Sequence, residues 1–368
     1  MGAARQYLFL AGAANREASL PQPTYHTLQV RLMNANDRDM IRSRSRFLRL
    51  ELVLAASLIL ATLTTGAYIR ARGLEYLLEG NQIQRHQLMI EGNAGNPWQY
   101  RVLSAYLVEG LVRLFQAFGL SGPHVLAFII FRFGQDTAVF LAAVLYFRKL
   151  GISLPHAMLG IVILAWGMSY SHYDSDLQFS TFFDILFCLL AGIAIISNRS
   201  FWILAITVFA AVNRETSGLI PFMYLAAALV TPPRTSRARA ISFFGLNLGL
   251  YVLVFVSLRL AYGEQTVLVP YGHAPGLPLL RYNLFRSITW WQCLVTLSVV
   301  PPLALVSYRN WPAQLRAFFW AVVPVWFLIH LVAAVLAETR LLLVPQALVF
   351  IPGALVFAQE ASRFDAKN

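Results

Sequence analysis

The sequence predicts an all-α polytopic transmembrane helical bundle. Three observations carry this. Apolar residues make up 58% of the chain and charged ones only 12%, mean hydropathy is +0.60, and about eight long apolar stretches follow one another with Lys and Arg gathered in the short segments between them. Hydrocarbon offers the backbone no hydrogen-bond partner, so such stretches must satisfy it internally as helices. The net charge of +12 would suggest a nucleic-acid partner in a soluble protein. Gathered between apolar runs, it reports orientation instead, and membrane lipids are the expected surroundings. Cys188 and Cys293 lie inside apolar segments without metal-ligand spacing, which excludes a zinc site built on them.

Residues 1–47 read as a basic cytoplasmic segment, with Met33 and Met40 as alternative starts that leave 1–32 as an extension. Arg42, Arg44, Arg46 and Arg49 lead directly into the first span, 52–69, which places the N-terminus in the cytoplasm. Further spans are expected at 124–146, 153–170, 178–197, 240–262, 289–307, 316–337 and 341–358. Residues 48–360 then form one membrane domain of about 8–10 membrane segments, and 361–368 form a cytoplasmic tail.

Every basic segment falls on one side under two conditions. First, 70–123 must not cross. Leu103, Tyr106, Leu107, Leu111, Leu114 and Phe118 make one stripe of a helix whose Glu109 and Arg113 sit one turn apart on another face, which suits an interfacial helix. An ordinary spanning helix here would invert everything downstream. Second, 201–230 must go in and come back, because Asn213-Arg214-Glu215-Thr216 interrupts a segment too short for two full spans. Both termini are then cytoplasmic.

Charged and aromatic side chains gather on the opposite face. The first loop supplies Glu75, Glu79, Glu91, Trp98, Tyr100 and Arg101, the next His172, Asp174, Asp176 and Asp184, the hairpin tip Arg214 and Glu215, and the last loop Glu338 and Arg340. Arginines beside carboxylates are what holding a phosphate while a base acts on a hydroxyl requires. Arg214 and Glu215, with apolar flanks on both sides, are forced to membrane depth, where an Arg meets a phosphate or a carboxylate. Pairing with one of the chain's own acids is the structural alternative, and interfacial anchoring is the alternative for Glu338 and Arg340. Arg132 and Asp136, four apart in one span, read as a structural ion pair.

This layout resembles the GT-C superfamily of integral membrane glycosyltransferases: a first span, an acidic external loop with juxtamembrane helices, then paired hydrophobic hairpins. Pro97-Trp98-Gln99-Tyr100-Arg101-Val102-Leu103 is similar to first-loop sequences of bacterial members, and Asn213-Arg214-Glu215-Thr216 before Pro221 and Glu338-Thr339-Arg340 before Pro345 are similar in character. The resemblance implies transfer of a sugar from a polyprenyl-phosphate donor to a lipid, glycan or protein acceptor outside the cytoplasm. A first-loop acid would be the general base and basic residues would hold the phosphate. The family's Asp just after the first span is replaced here by Ile69-Arg70-Ala71-Arg72, and the first acid is Glu75.

Within that resemblance Glu91 is the first candidate base, because Gly92, Gly95 and Pro97 surround it with backbone that a substrate can approach, and Glu75 and Glu79 follow. Asp174 and Asp176 are also candidate catalytic acids. Their Asp-x-Asp spacing suits a Mg2+ or Mn2+ ion, while the same acids before Leu177 would cap a helix. Trp98, Tyr100, Arg101, His172, Arg214, Glu215, Glu338 and Arg340 are the expected substrate-binding set. A transporter or flippase, a cell-envelope polysaccharide polymerase and a non-catalytic membrane subunit share the composition. The short loops and Arg-rich segments favour a bacterial inner membrane.

Overall fold

The computed structural model describes residues 35–78, 81–173, 179–231 and 236–365, with side chains from Arg49 to Ser362. Glu79, Asp174 and Asp176 therefore lie outside the described residues. The chain divides into two units, Met1–Glu51 and Leu52–Asn368. The second holds the cavity and the helix packing described below.

The described residues form helices and turns with no strand, and a single parallel bridge joins Asn96 to Val267. Among the described residues six helices are long and apolar enough to cross a membrane: Arg49–Arg72, Pro123–Lys149, Phe179–Ile196, Arg237–Tyr262, Ala313–Ala333 and Thr339–Ser362. This is an integral membrane protein with an all-α bundle.

Two of the eight expected spans differ from expectation. Leu154–Tyr170 has 17 residues, about 25 Å of helix, which is short for a crossing. The stretch expected at 289–307 is two helices, Ser287–Leu297 and Val300–Val306, bent by 64°. Pro301 and Pro302 open the second helix, and a proline ring cannot continue a preceding turn, so the chain breaks at Ser298 and Val299.

The segment 201–230 is two helices, Ser200–Asn213 and Leu219–Val230, joined through extended Arg214 and the tight turn Glu215–Gly218. Asn213 and Arg214 meet Ser180 and Asp184 at the start of Phe179–Ile196, so the first helix runs antiparallel to that span. Phe222 meets Phe244, Tyr224 meets Phe243, and the Glu215 carbonyl accepts from Tyr251, so the second runs antiparallel to Arg237–Tyr262. The long helix ends at Gly263, whose carbonyl takes the Tyr100 hydroxyl of the first loop. The two helices thus arrive at, and leave from, the same end of the bundle.

That end can be followed through the core. Gln135 donates to the Phe179 carbonyl while a methyl group added at Gly192 would lie 2.7 Å from Tyr146, so Pro123–Lys149 and Phe179–Ile196 run parallel. Absent side chains at Gly192 and Gly160 let Tyr146 and Phe147 press into the neighbouring helices, close packing that lipid itself does not drive. Arg148 and Lys149 lie at the far end from Phe179, Arg237 and Arg239 at the far end from Gly263.

The first-loop helix, Val102–Ala117, buries its narrow face of Ala105, Val108 and Val112. Tyr106, Leu107, Leu114 and Phe118 of the expected apolar stripe point outward, about half exposed or more. A helix of 16 residues that shows its bulky apolar side chains to the surroundings fits a position along the membrane surface. Arg132 and Asp136 form a buried ion pair at 3.0 Å, completed by hydroxyls of Thr64 and Thr65 on Asp136.

Candidate functional site

A cavity of about 380 Å³ opens where the first loop, the hairpin tip and the turn after Ala313–Ala333 meet. Its charged lining is Arg101, Arg214, Arg259, Arg340, Glu215 and Glu338, with Trp98 and His330 beside them.

Each side chain is placed by local structure. The first loop is pinned by Gln99, which accepts from the Ala94 amide and donates to the Met89 carbonyl. Gly95 takes a positive φ of 76° and lies so close to 266–268 that a Cβ would sit 3.2 Å from the Thr266 carbonyl. Asn96 then pairs with Thr266 and Leu268 through the backbone, which sets Asn96, Pro97, Val267 and Leu268 into the cavity wall. Gly95 serves contact between chain segments, where the sequence suggested access for a substrate.

At the hairpin tip Arg214 leaves the helix in extended conformation, and the carbonyls freed there are taken by Ser217 and Tyr251. The third wall is clipped by one buried amide. Asn283 donates to the Leu331 and Ala334 carbonyls and accepts from the Leu336 amide, fixing the turn that carries Glu338 and Arg340.

The charges are arranged in pairs. Arg214 reaches Asp184 at 3.0 Å, and Asn213 and Thr216 also donate to that carboxylate. Arg101 places two nitrogens on Glu215 Oε2, at 3.0 and 3.1 Å. Arg340 pairs with Glu338, two residues away on the same turn. Arg259 is different. It donates to the Phe255 carbonyl and lies over the Phe255 and Tyr100 rings, and among the described residues no carboxylate pairs with it. Among the described residues four guanidinium groups stand against three carboxylates, an excess of one positive charge at the cavity wall. In a largely buried site that excess favours an anionic ligand.

Two guanidinium groups lie near the Trp98 ring, Arg85 at 4.5 Å and Arg101 at 5.7 Å from its centroid. It also lines a smaller hollow with Arg85, His86 and Ser104. His86 Nε2 lies 3.0 Å from Glu109, whose other oxygen accepts from Arg113 at 2.8 Å. Burial lowers the His86 pKa more than Glu109 raises it. Burial pushes the Glu109 carboxyl up, but hydrogen bonds from Arg113 and His86 outweigh it, and the net direction is down.

Of the expected substrate-binding residues, Trp98, Arg101, Arg214, Glu215, Glu338 and Arg340 share the cavity. Tyr100 is buried just behind it, holding Gly263 and supporting Arg259. His172 donates to the Ser169 carbonyl at a helix end and does not line it. Glu91 and Glu75 do not line it either. Glu91 ends the helix Asn81–Glu91 with its side chain exposed, and Glu75 is exposed on Leu74–Leu78. Glu91 was expected on a loop and ends a helix instead, while Glu75 lies on a helix, as its four-residue spacing from Glu79 suggested, and both point outward. Among the described residues no group of three His, Cys, Asp or Glu side chains could hold a metal ion.

Arg259 and His330 line the cavity and were not singled out from the sequence. Both sit in the last turns of apolar spans, and the available signal was a lone polar side chain inside such a span. Comparison with family models, curated proteins and solved structures found no match to this chain.

Proposed function

We propose that this protein is a membrane glycosyltransferase that moves a sugar from a polyprenyl-phosphate donor to a lipid, glycan or protein acceptor on the extracytoplasmic face of a bacterial inner membrane. The observation that carries this reading is the cavity itself, where three paired arginines, one arginine with no carboxylate partner among the described residues and two glutamates meet beside an aromatic side chain. Arg148, Lys149, Arg237 and Arg239 at the opposite end of their helices support an extracytoplasmic opening by the positive-inside rule.

In this reading Arg259 and Arg101 hold the donor phosphate, and Trp98 offers a face for a sugar ring. Glu338 takes the role that the resemblance gives to a first-loop acid. It removes the proton from the acceptor hydroxyl as that oxygen attacks the sugar carbon, and the phosphate leaves with the bonding electron pair. Glu338 suits this because its partner Arg340 sits on the same turn, whereas Glu215 is gripped by two Arg101 nitrogens.

The test is transfer of labelled sugar in vesicles containing the purified protein and a panel of polyprenyl-phosphoryl hexoses and pentoses. Glu338→Gln should lower transfer by about 10²- to 10⁴-fold, the usual contribution of a general base. Glu91→Gln should leave it near wild type. A wild-type protein that transfers nothing from any donor would overturn the reading in favour of a transporter or a non-catalytic subunit.

A further inference from the structure

His330 closes the floor of the cavity, and its hydrogen bonding defines what it offers there. Nδ1 lies 2.7 Å from the Trp326 carbonyl oxygen, which only accepts, so Nδ1 carries the proton. A neutral ring protonated at Nδ1 presents a lone pair on Nε2, and the arginines lining the cavity disfavour the second proton that would remove it. Among the described residues Nε2 has no protein partner, although the ring is almost fully buried apart from the cavity.

The ring is also immobilised. It stacks on Trp326 with centroids 4.8 Å apart, and Trp326 is anchored by its own indole N–H on the Leu341 carbonyl. Among the described lining residues the carboxylates Glu215 and Glu338 are paired with Arg101 and Arg340, and Nε2 is a neutral side-chain acceptor beside them. Nε2 is thus an oriented acceptor surrounded by donors. The arginines repel a cationic donor, which leaves a hydroxyl as the complementary group.

We infer that His330 Nε2 accepts a hydrogen bond from a hydroxyl of the ligand whose anionic group the arginines hold, making His330 the residue that separates hydroxylated anions from plain ones. This rests on reading the cavity as an anion site and gives that site its selectivity. The buried acceptor is left unpaired when a ligand lacks the hydroxyl, which is how such sites reject analogues.

The test is binding, which does not depend on turnover. Titration of the full-length protein in nanodiscs compares glucose 1-phosphate and ribose 5-phosphate with methyl phosphate, which has the same phosphate monoester and no hydroxyl. Wild type should favour at least one sugar phosphate by about 3- to 10-fold, the worth of one net hydrogen bond. His330→Phe should erase the preference while keeping methyl phosphate affinity, and His330→Gln, which restores an acceptor, should recover part of it. Equal affinities in wild type, or a preference that survives His330→Phe, overturns the inference. Wild type that binds none of the three overturns the anion site as well. A preference lost in His330→Phe, in a protein that transfers no sugar, upholds the inference while the transferase reading falls.

Discussion

Arg214 and Arg340 donate to the same oxygen: Nη1 of each reaches Thr181 Oγ1, at 3.3 and 3.1 Å. Two buried guanidinium groups sharing one hydroxyl would repel each other strongly without compensation. Each has a carboxylate, Asp184 for Arg214 and Glu338 for Arg340, and the hydroxyl fixes their separation. The cavity is therefore built on an ion-pair network whose removal affects fold and function together.

Asp184→Asn should destabilise the protein by about 3–5 kcal/mol, the cost of leaving a buried charge uncompensated. The double variant Asp184→Asn with Arg214→Gln should recover most of that, since neither charge then remains. Unfolding of purified protein in mixed micelles measures both. A single variant as stable as wild type would mean that Arg214 has found another partner, and the network described above would be wrong.

The bundle was readable from the sequence because hydrocarbon leaves the backbone few choices, so long apolar runs became helices and Asn213-Arg214-Glu215-Thr216 became a turn. The partner of Arg214 was not readable. Asp184 lies at the start of another helix, thirty residues away, and only the antiparallel packing brings it to the tip. Glu91 shows the reverse difficulty. Its flanking glycines signalled a special backbone, but Gly95 is needed for close approach to Thr266, and nothing local distinguishes that from approach to a ligand. Arg259 and His330 were hidden by their apolar neighbours, which made each look like a core or anchoring residue.

Arg259 should be the arginine whose loss separates binding from stability. It has no carboxylate to strand, so Arg259→Gln should leave the unfolding midpoint close to wild type. Affinity for a phosphate monoester should fall by about 10- to 100-fold, the worth of one charge-assisted hydrogen bond. Titration with methyl phosphate at two salt concentrations checks this. Unchanged affinity would remove Arg259 from the anion site.

Asn283 should matter more than its distance from the charges suggests. Three hydrogen bonds tie it to 331–336, and it is fully buried. Asn283→Leu strands two carbonyls and an amide, each costing about 1–3 kcal/mol if water cannot reach it. The turn carrying Glu338 and Arg340 should loosen, so methyl phosphate affinity and stability should fall together. Hydrogen exchange at 335–342 reports it directly, and exchange as slow as in wild type would show that the turn is held by other contacts.

Acid should loosen the first loop before it affects the rest. His86 in the folded chain has a pKa below its ordinary 6.5 because burial disfavours the charged ring. As pH falls below 6.5 the unfolded segment binds the proton more readily, so the stability that the neutral ring provides declines. Glu109 has a folded pKa below its ordinary 4.5, so its contribution is complete above that value and is lost as pH falls through the folded one. Both effects have the same sign, and the His86 part comes first. Hydrogen exchange of the helices Asn81–Glu91 and Val102–Ala117, corrected for intrinsic rates, should quicken between about pH 7 and about pH 5.5. His86→Phe should flatten that window and leave the loss at lower pH. An exchange profile independent of pH over that interval, or one that His86→Phe does not alter, would show that burial of the neutral His86 ring does not hold the loop in place.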